Sequence, residues 1–160
     1  MEEKNPPEEK ELVILYTTSL RGIRKTFKDC NTIRFLLESF RVVYYEKDVS
    51  MHLEYRDELW RMLGGRVVPP RLFIRGKYIG GADEVVQLHE KGSLRDLLQG
   101  MPLSTCLNCS CRGCGNMRFV VCSRCNGSRK VLVEGEEERG FCKCCDCNEN
   151  GLVKCSICTL

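Results

Sequence analysis

The sequence predicts two domains of different class: an α/β domain of element order βαβαββα over residues 11–100, and a small cysteine-rich domain over residues 101–160. Three observations predict it. Apolar and β-branched runs alternate with stretches of helical period as far as residue 99. Twelve of the 13 cysteines lie at or after Cys106. The last roughly 60 residues hold little aliphatic material, too little to fold without cross-links or metal.

Residues 1–10 are charged, contain Pro6 and Pro7, and read as a disordered lead-in. Leu12 to Tyr16 is a short continuous apolar run, as expected of a strand covered on both faces. Thr26 followed by Asp29 has the form of a helix N-terminus. Phe27, Cys30, Ile33, Leu36, Leu37 and Phe40 then recur at helical spacing with one face to bury. Val42 to Tyr45 is strand-like in its β-branched and aromatic content, and Leu53 to Leu63 is helical, closed by Gly64-Gly65. Beyond Pro69-Pro70, Arg71 to Arg75 and Tyr78 to Ile79 read as strands joined at a Gly76-Lys77 turn. Gly80-Gly81-Ala82-Asp83-Glu84 opens a helix through His89, Leu94 to Leu98 adds a short amphipathic turn, and Gly100 to Pro102 marks the boundary.

The formal charge of +3, from 25 basic and 22 acidic residues, is too small and too evenly spread for a nucleic-acid or membrane-surface protein. No run approaches the roughly 18 apolar residues of a membrane span, and the acidic start lacks the apolar core of a secretory signal. The expectation is a soluble, cytoplasmic or nuclear chain whose thiols stay reduced, where clustered cysteines bind metal rather than pair. His52 and His89 have no ligand-like neighbours and read as surface residues.

Cys111-x-x-Cys114 and Cys122-x-x-Cys125 are separated by seven residues, and so are Cys144-x-x-Cys147 and Cys155-x-x-Cys158, which makes an internal repeat. Each such turn aims two thiolates at one ion, and a tetrahedral Zn²⁺ needs two turns, so four knuckles supply two closed sites. Gly115, Gly127 and Gly151 permit the positive φ of tight turns. Cys106, Cys109, Cys142 and Cys145 are left over, either surplus thiols or the makings of a third ion site or a redox pair. Without histidine ligands or a basic stripe, a DNA-binding finger is not expected. Each four-thiolate Zn²⁺ carries a net −2, so two sites would turn +3 into about −1.

The first domain's element order, its proline pair and the string Phe73-Ile74-Arg75-Gly76-Lys77-Tyr78-Ile79-Gly80-Gly81-Ala82-Asp83 resemble glutaredoxins. The resemblance implies a thioredoxin-like fold with a cis peptide bond before Pro70. It also implies a glutathione site in which Val68, Pro69 and Pro70 line the cysteinyl backbone while Ala82 and Asp83 hold the γ-glutamyl end. Arg24 takes the place of the family's basic residue that pairs with a glutathione carboxylate. The family's leading active-site cysteine is replaced: alignment of Ile33, Leu36 and Leu37 puts Phe27 in the leading position and Cys30 in the trailing one. Cys30 is therefore the candidate catalytic thiol, or else a buried structural cysteine.

The four glycine-trailed knuckles resemble the cysteine-rich domain of DnaJ-type chaperones. That resemblance implies nested ligation, with Cys111, Cys114, Cys155 and Cys158 on one zinc and Cys122, Cys125, Cys144 and Cys147 on the other. Pairing of sequential knuckles is the competing topology. The combination, with Ser19-Leu20-Arg21-Gly22-Ile23-Arg24-Lys25-Thr26, looks like plant glutaredoxin-like proteins with a cysteine-rich C-terminus and the animal glutaredoxin-domain cysteine-rich proteins. Two functions follow from these resemblances. One is a glutathione-dependent protein disulfide oxidoreductase. The other is a non-catalytic adaptor whose zinc domain contacts a protein partner.

Overall fold

The computed structural model describes residues 11–104, 111–115, 117–135 and 139–157. The expected lead-in at residues 1–10, together with Cys106, Cys109 and Cys158, lies outside them. The described residues form two compact units, one of residues 11–50 and 54–104 and the other of residues 51–53 with those from 111 onward.

The first unit has the elements β1 (Val13–Thr17), α1 (Arg24–Ser39), β2 (Tyr44–Asp48), α2 (Leu53–Leu63), β3 (Arg71–Ile74), β4 (Lys77–Gly80), α3 (Ala82–Glu90) and α4 (Ser93–Leu98). The sheet order is β2-β1-β3-β4, with β1 parallel to β2 and antiparallel to β3. Alternation along β1 sends Val13 and Leu15 to one face, where they pack with Ile33 and Leu37 of α1, Val85 of α3 and Leu94 of α4. Ile14 and Tyr16 face the other side with Phe73, against Leu59 of α2. Helices therefore cover both faces, which is why β1 is apolar at every position but its last.

Three expectations shift. The second strand lies at Tyr44–Asp48 rather than Val42 to Tyr45: Val42 leaves the sheet to form an isolated bridge with Leu103. The strand's charged half is tolerated because each charge is met. Arg34 donates to Glu46 at 2.6 Å from Nε and 3.0 Å from Nη2, Lys47 donates to Glu58 at 3.0 Å, and Asp48 accepts the Ser50 N–H at 2.9 Å. Helix α1 starts at Arg24, with Ile23 as its uncapped N-terminus, so Thr26 is a buried first-turn residue and not the cap. The β3–β4 turn is centred on Arg75 (φ 52°) and Gly76 (φ 78°), both left-handed, the pair that a two-residue hairpin turn demands.

The second unit holds β5 (Phe119–Val121), β6 (Lys130–Glu134), β7 (Arg139–Lys143) and β8 (Leu152–Lys154). β5 pairs antiparallel with β8, and β6 with β7. Its buried centre is made of Cys122, Cys125 and Cys144, with Val131, Cys147 and Val153 packed around them.

Candidate functional site

A cavity of about 260 Å³ opens in the first unit where the segment before β3 meets the start of α3. Val68, Pro69, Pro70, Ala82 and Asp83 line it, joined by Lys25, Thr26, Asp29, Arg71, Gly81 and Glu84. The Pro69-Pro70 peptide bond is cis. Gly80 has φ +144°, and a Cβ there would lie 2.6 Å from that of Glu84, so only glycine lets the chain turn from β4 into α3. The Glu84 carboxylate accepts the Gly81 N–H at 3.1 Å, which leaves the next N–H groups of the helix start for an incoming carboxylate.

Arg24 is exposed and does not line the cavity; Lys25 does. Neighbouring helical residues diverge by about 100°, so the two cannot serve the same face. The Lys25 ammonium donates to Asp29 at 2.6 Å, and that hydrogen bond and charge, with Asp83 beyond, hold its pKa up. Arg71 is fixed by Nε donating to the Val68 carbonyl at 2.9 Å and Nη1 to the Tyr78 hydroxyl at 2.7 Å. Arg24, Lys25 and Lys28 put cations at the positive end of the α1 dipole, an unfavourable placement that a bound anion relieves. The i,i+4 spacing of Lys25 and Asp29, and the adjacency of Arg71 to Pro70, are the sequence signals that could have marked these residues.

Cys30 lies in the second turn of α1, is 0% exposed, and is absent from the cavity lining. Burial pushes its thiol above the ordinary 9.0, against the opposing pull of a Thr18 backbone hydrogen bond and the Arg34 charge. Burial therefore favours the protonated thiol over the thiolate. Phe27, expected at the leading position, sits inside α1 because the helix begins three residues earlier, at Arg24.

In the second unit the sulfurs of Cys122, Cys125, Cys144 and Cys147 lie within 4.8 Å of one another, as do those of Cys111, Cys114 and Cys155. The grouping follows from the short β5–β8 ribbon. Cys111 and Cys114 precede β5 and Cys155 follows β8 at one end; Cys122 and Cys125 follow β5 while Cys144 and Cys147 precede β8 at the other. The Sγ–Sγ separations are 3.9 Å for Cys122–Cys144, 3.7 Å for Cys125–Cys147 and 3.7 Å for Cys111–Cys155. Disulfides need about 2.05 Å. A tetrahedron with metal–sulfur bonds of about 2.3 Å has edges of about 3.8 Å, so the thiols are spaced for a shared soft cation.

Corresponding backbone features recur in the repeat. The Arg118 and Arg129 N–H groups donate to Cys114 and Cys125 Sγ, each at 3.3 Å, from left-handed residues four positions on. A Cβ on Gly151 (φ +72°) would meet the Gly127 carbonyl at 2.5 Å, so two knuckle turns touch through bare backbone. Although burial opposes it, N–H donors from Arg129 and Gly127 and the neighbouring thiols bring the Cys125 thiol down to about 7. Burial, and then Cys125 and Cys144, push Cys147 up to about 12. One thiolate forms readily while Cys144 and Cys147 resist, the imbalance a divalent cation removes. Cys142 and Cys145 are exposed and belong to neither group.

The family model described as "Glutaredoxin" matches residues 13–79, and that described as "GRXCR1/2, C-terminal domain" matches residues 111–159. An uncharacterised Arabidopsis thaliana protein is 44% identical, over 93% of this chain and 42% of its own length. The glutaredoxin domain-containing cysteine-rich protein 1 of Homo sapiens is 35% identical, over 91% of this chain and 52% of its own length. The chain thus spans about half of these relatives or less. Among solved structures, a monomeric truncated mutant of Trypanosoma brucei 1-C-Grx1 shares the fold, with a TM-score of 0.51 at 22% identity over 64% of this chain and 96% of that one. Sheet order, cis-proline, thiol grouping and both family matches agree: the chain joins a glutaredoxin-family domain to a GRXCR1/2-type C-terminal cysteine-rich domain.

Proposed function

We propose that the chain is a glutathione-binding, redox-linked adaptor. Its glutaredoxin unit holds glutathione non-covalently in the cavity beside Pro70, and its cysteine-rich unit, closed around zinc, offers a surface to a protein partner. The observation that carries this reading is the cavity itself. It brings Val68, Pro70, Ala82 and Asp83 together with a lysine and an arginine, and no cysteine is among the residues lining it. The tripeptide has two carboxylates and one ammonium. The open N–H groups of α3 suit one carboxylate, Lys25 the other, and the Asp83 carboxylate the ammonium. Cys30, buried and held protonated, supplies no nucleophile in this arrangement.

The all-thiolate donor sets favour zinc over hard cations. Two ions are proposed, one on Cys122, Cys125, Cys144 and Cys147, the other on Cys111, Cys114 and Cys155 with Cys158 as fourth ligand. Bound there, zinc supplies a closed structural tie and no chemistry of turnover.

The test is a titration of the ¹⁵N-labelled full chain with S-methylglutathione, which has no thiol to exchange. Saturable shifts at Lys25 and at Gly81 to Glu84 are expected, together with negligible glutathione-dependent reduction of a small disulfide. Absence of those shifts would refute glutathione binding. Turnover abolished by Cys30→Ser would refute the adaptor reading in favour of an oxidoreductase.

A further inference from the structure

The β6–β7 ribbon is the part of the cysteine-rich unit that the thiol clusters do not use. Its register pairs Lys130 with Lys143, Val131 with Cys142 and Leu132 with Phe141. Side chains alternate across a ribbon, so Val131 and Cys142 share one face while Lys130, Leu132, Phe141 and Lys143 share the other. Val131 packs on the thiol cluster, so the second face is turned away from it. That face is bare: Phe141 is 72% and Leu132 55% exposed. Like charges directly opposite one another destabilise a ladder, and neither Lys130 nor Lys143 has an ion-pair partner among the described residues. The ribbon also has no third strand among the described residues, so the outer edge of β7 keeps its backbone donors and acceptors. An exposed apolar pair beside a cation pair with no counter-charge among the described residues marks a surface suited to something apolar and negative.

We propose that this ribbon is the partner-docking surface, and that its occupant is an extended acidic peptide segment of another protein. The segment adds to the β7 edge, on which both Phe141 and Lys143 lie. An added strand places alternate side chains on the same face, so the register of the ribbon specifies the motif. An apolar residue meets Leu132 and Phe141, and an acidic residue two positions away meets Lys130 and Lys143. Adjacent placement of the two would send the carboxylate to the wrong face. The inference rests on the partner-binding half of the function proposed above, and the glutathione titration does not involve the ribbon, so the two can fail separately.

The experiment uses the zinc-loaded full chain and two blocked heptapeptides of identical composition, Thr-Glu-Thr-Leu-Thr-Glu-Thr and Thr-Thr-Glu-Leu-Glu-Thr-Thr, followed by amide shifts. The first should produce saturable shifts in β7 and bind at least about fivefold more tightly than the second. Lys143→Glu and Phe141→Ser should each weaken it about tenfold or more. Both substitutions lie on the face away from the cluster, so zinc content should stay at the wild-type value and report an intact fold. Equal binding of the two isomers, or binding unchanged in both variants, would overturn the proposal. So would concentration-dependent self-association lost in Phe141→Ser without peptide binding, which would make a second copy the occupant. Sedimentation with phosphatidylserine vesicles through Lys130 and Lys143, again without peptide binding, would assign the face to a membrane and likewise overturn it.

Discussion

The two units of this chain solve the same folding problem with different material. In the glutaredoxin unit, 12 buried apolar residues, Val13 and Leu37 among them, form one cluster between sheet and helices, and four more lie on the opposite face. In the cysteine-rich unit the buried cluster consists of Cys122, Cys125 and Cys144. Its strands are three to five residues long and pair only two at a time, a size that is marginal in water without further support. One unit is held by apolar area spread over many side chains, and the other by a few sulfurs gathered at a point. Apolar area degrades gradually under substitution, whereas a metal tie is present or lost. The difference also sorts the cysteines: in the first unit Cys30 is core filling, and in the second the same residue type is the core.

The largest effect should come from removing the proposed metal. Apparent zinc-binding energies of about 10–16 kcal/mol exceed what so small a unit gains from burial. A strong chelator should therefore collapse the amide dispersion of residues 117–157 while leaving that of residues 13–98 in place, read in one NMR spectrum. Retained dispersion in both regions would mean that the second unit does not depend on its thiols. Next in size, Leu37→Ala in the glutaredoxin unit should cost about 2–5 kcal/mol in urea unfolding of that unit, without changing zinc content. Gly151→Ala should do the reverse. Its Cβ would collide with the Gly127 carbonyl, so zinc retention in a competition titration should fall while the thermal stability of the first unit holds.

Smaller effects refine the picture. Asp83→Ala should weaken S-methylglutathione binding about tenfold, near 1.4 kcal/mol, if its carboxylate holds the ammonium. The pH dependence of stability probes Cys30. Its folded pKa is raised above its unfolded value, so the fold prefers the protonated thiol. The Cys30 contribution is then level below the ordinary 9.0 and is lost as pH climbs above it, when the unfolded chain ionises and the folded one resists. Urea midpoints of the first unit should decline above that pH, and Cys30→Ala should remove part of the decline. An identical decline in the variant would place the titrating group elsewhere, with Tyr44, also raised by burial, the first suspect.

Periodicity and turn chemistry made most of the first unit readable. The helix Leu53–Leu63 and the segment from Pro70 to Asp83 could be placed from apolar spacing and glycines, because each element's local preference agrees with its tertiary setting. The second strand is hard to read because three of its five residues, Glu46 to Asp48, are charges, and the partners of the first two, Arg34 and Glu58, lie on other elements. The start of α1 was misread because Thr26 looks like a cap while Ile23 does not, and no side chain caps that helix. The expectation at Arg24 comes from the family alignment, whereas Lys25, one position and about 100° round the helix, lines the cavity. In the cysteine-rich unit the knuckle spacing showed which thiols could share an ion. The β6–β7 ribbon carried no comparable signal, because its strands are short and Phe141 and Leu132 face away from the cluster.

As proposed, the glutaredoxin unit recognises glutathione without using the Cys30 thiol. Calorimetric titration of glutathione and S-methylglutathione into the wild type and Cys30→Ala measures it most directly. All four affinities should agree within about twofold, with Cys30 unmodified in peptide-resolved mass spectra taken after exposure to glutathione disulfide. Binding of glutathione alone, lost in Cys30→Ala and accompanied by a glutathione adduct on Cys30, would contradict the claim.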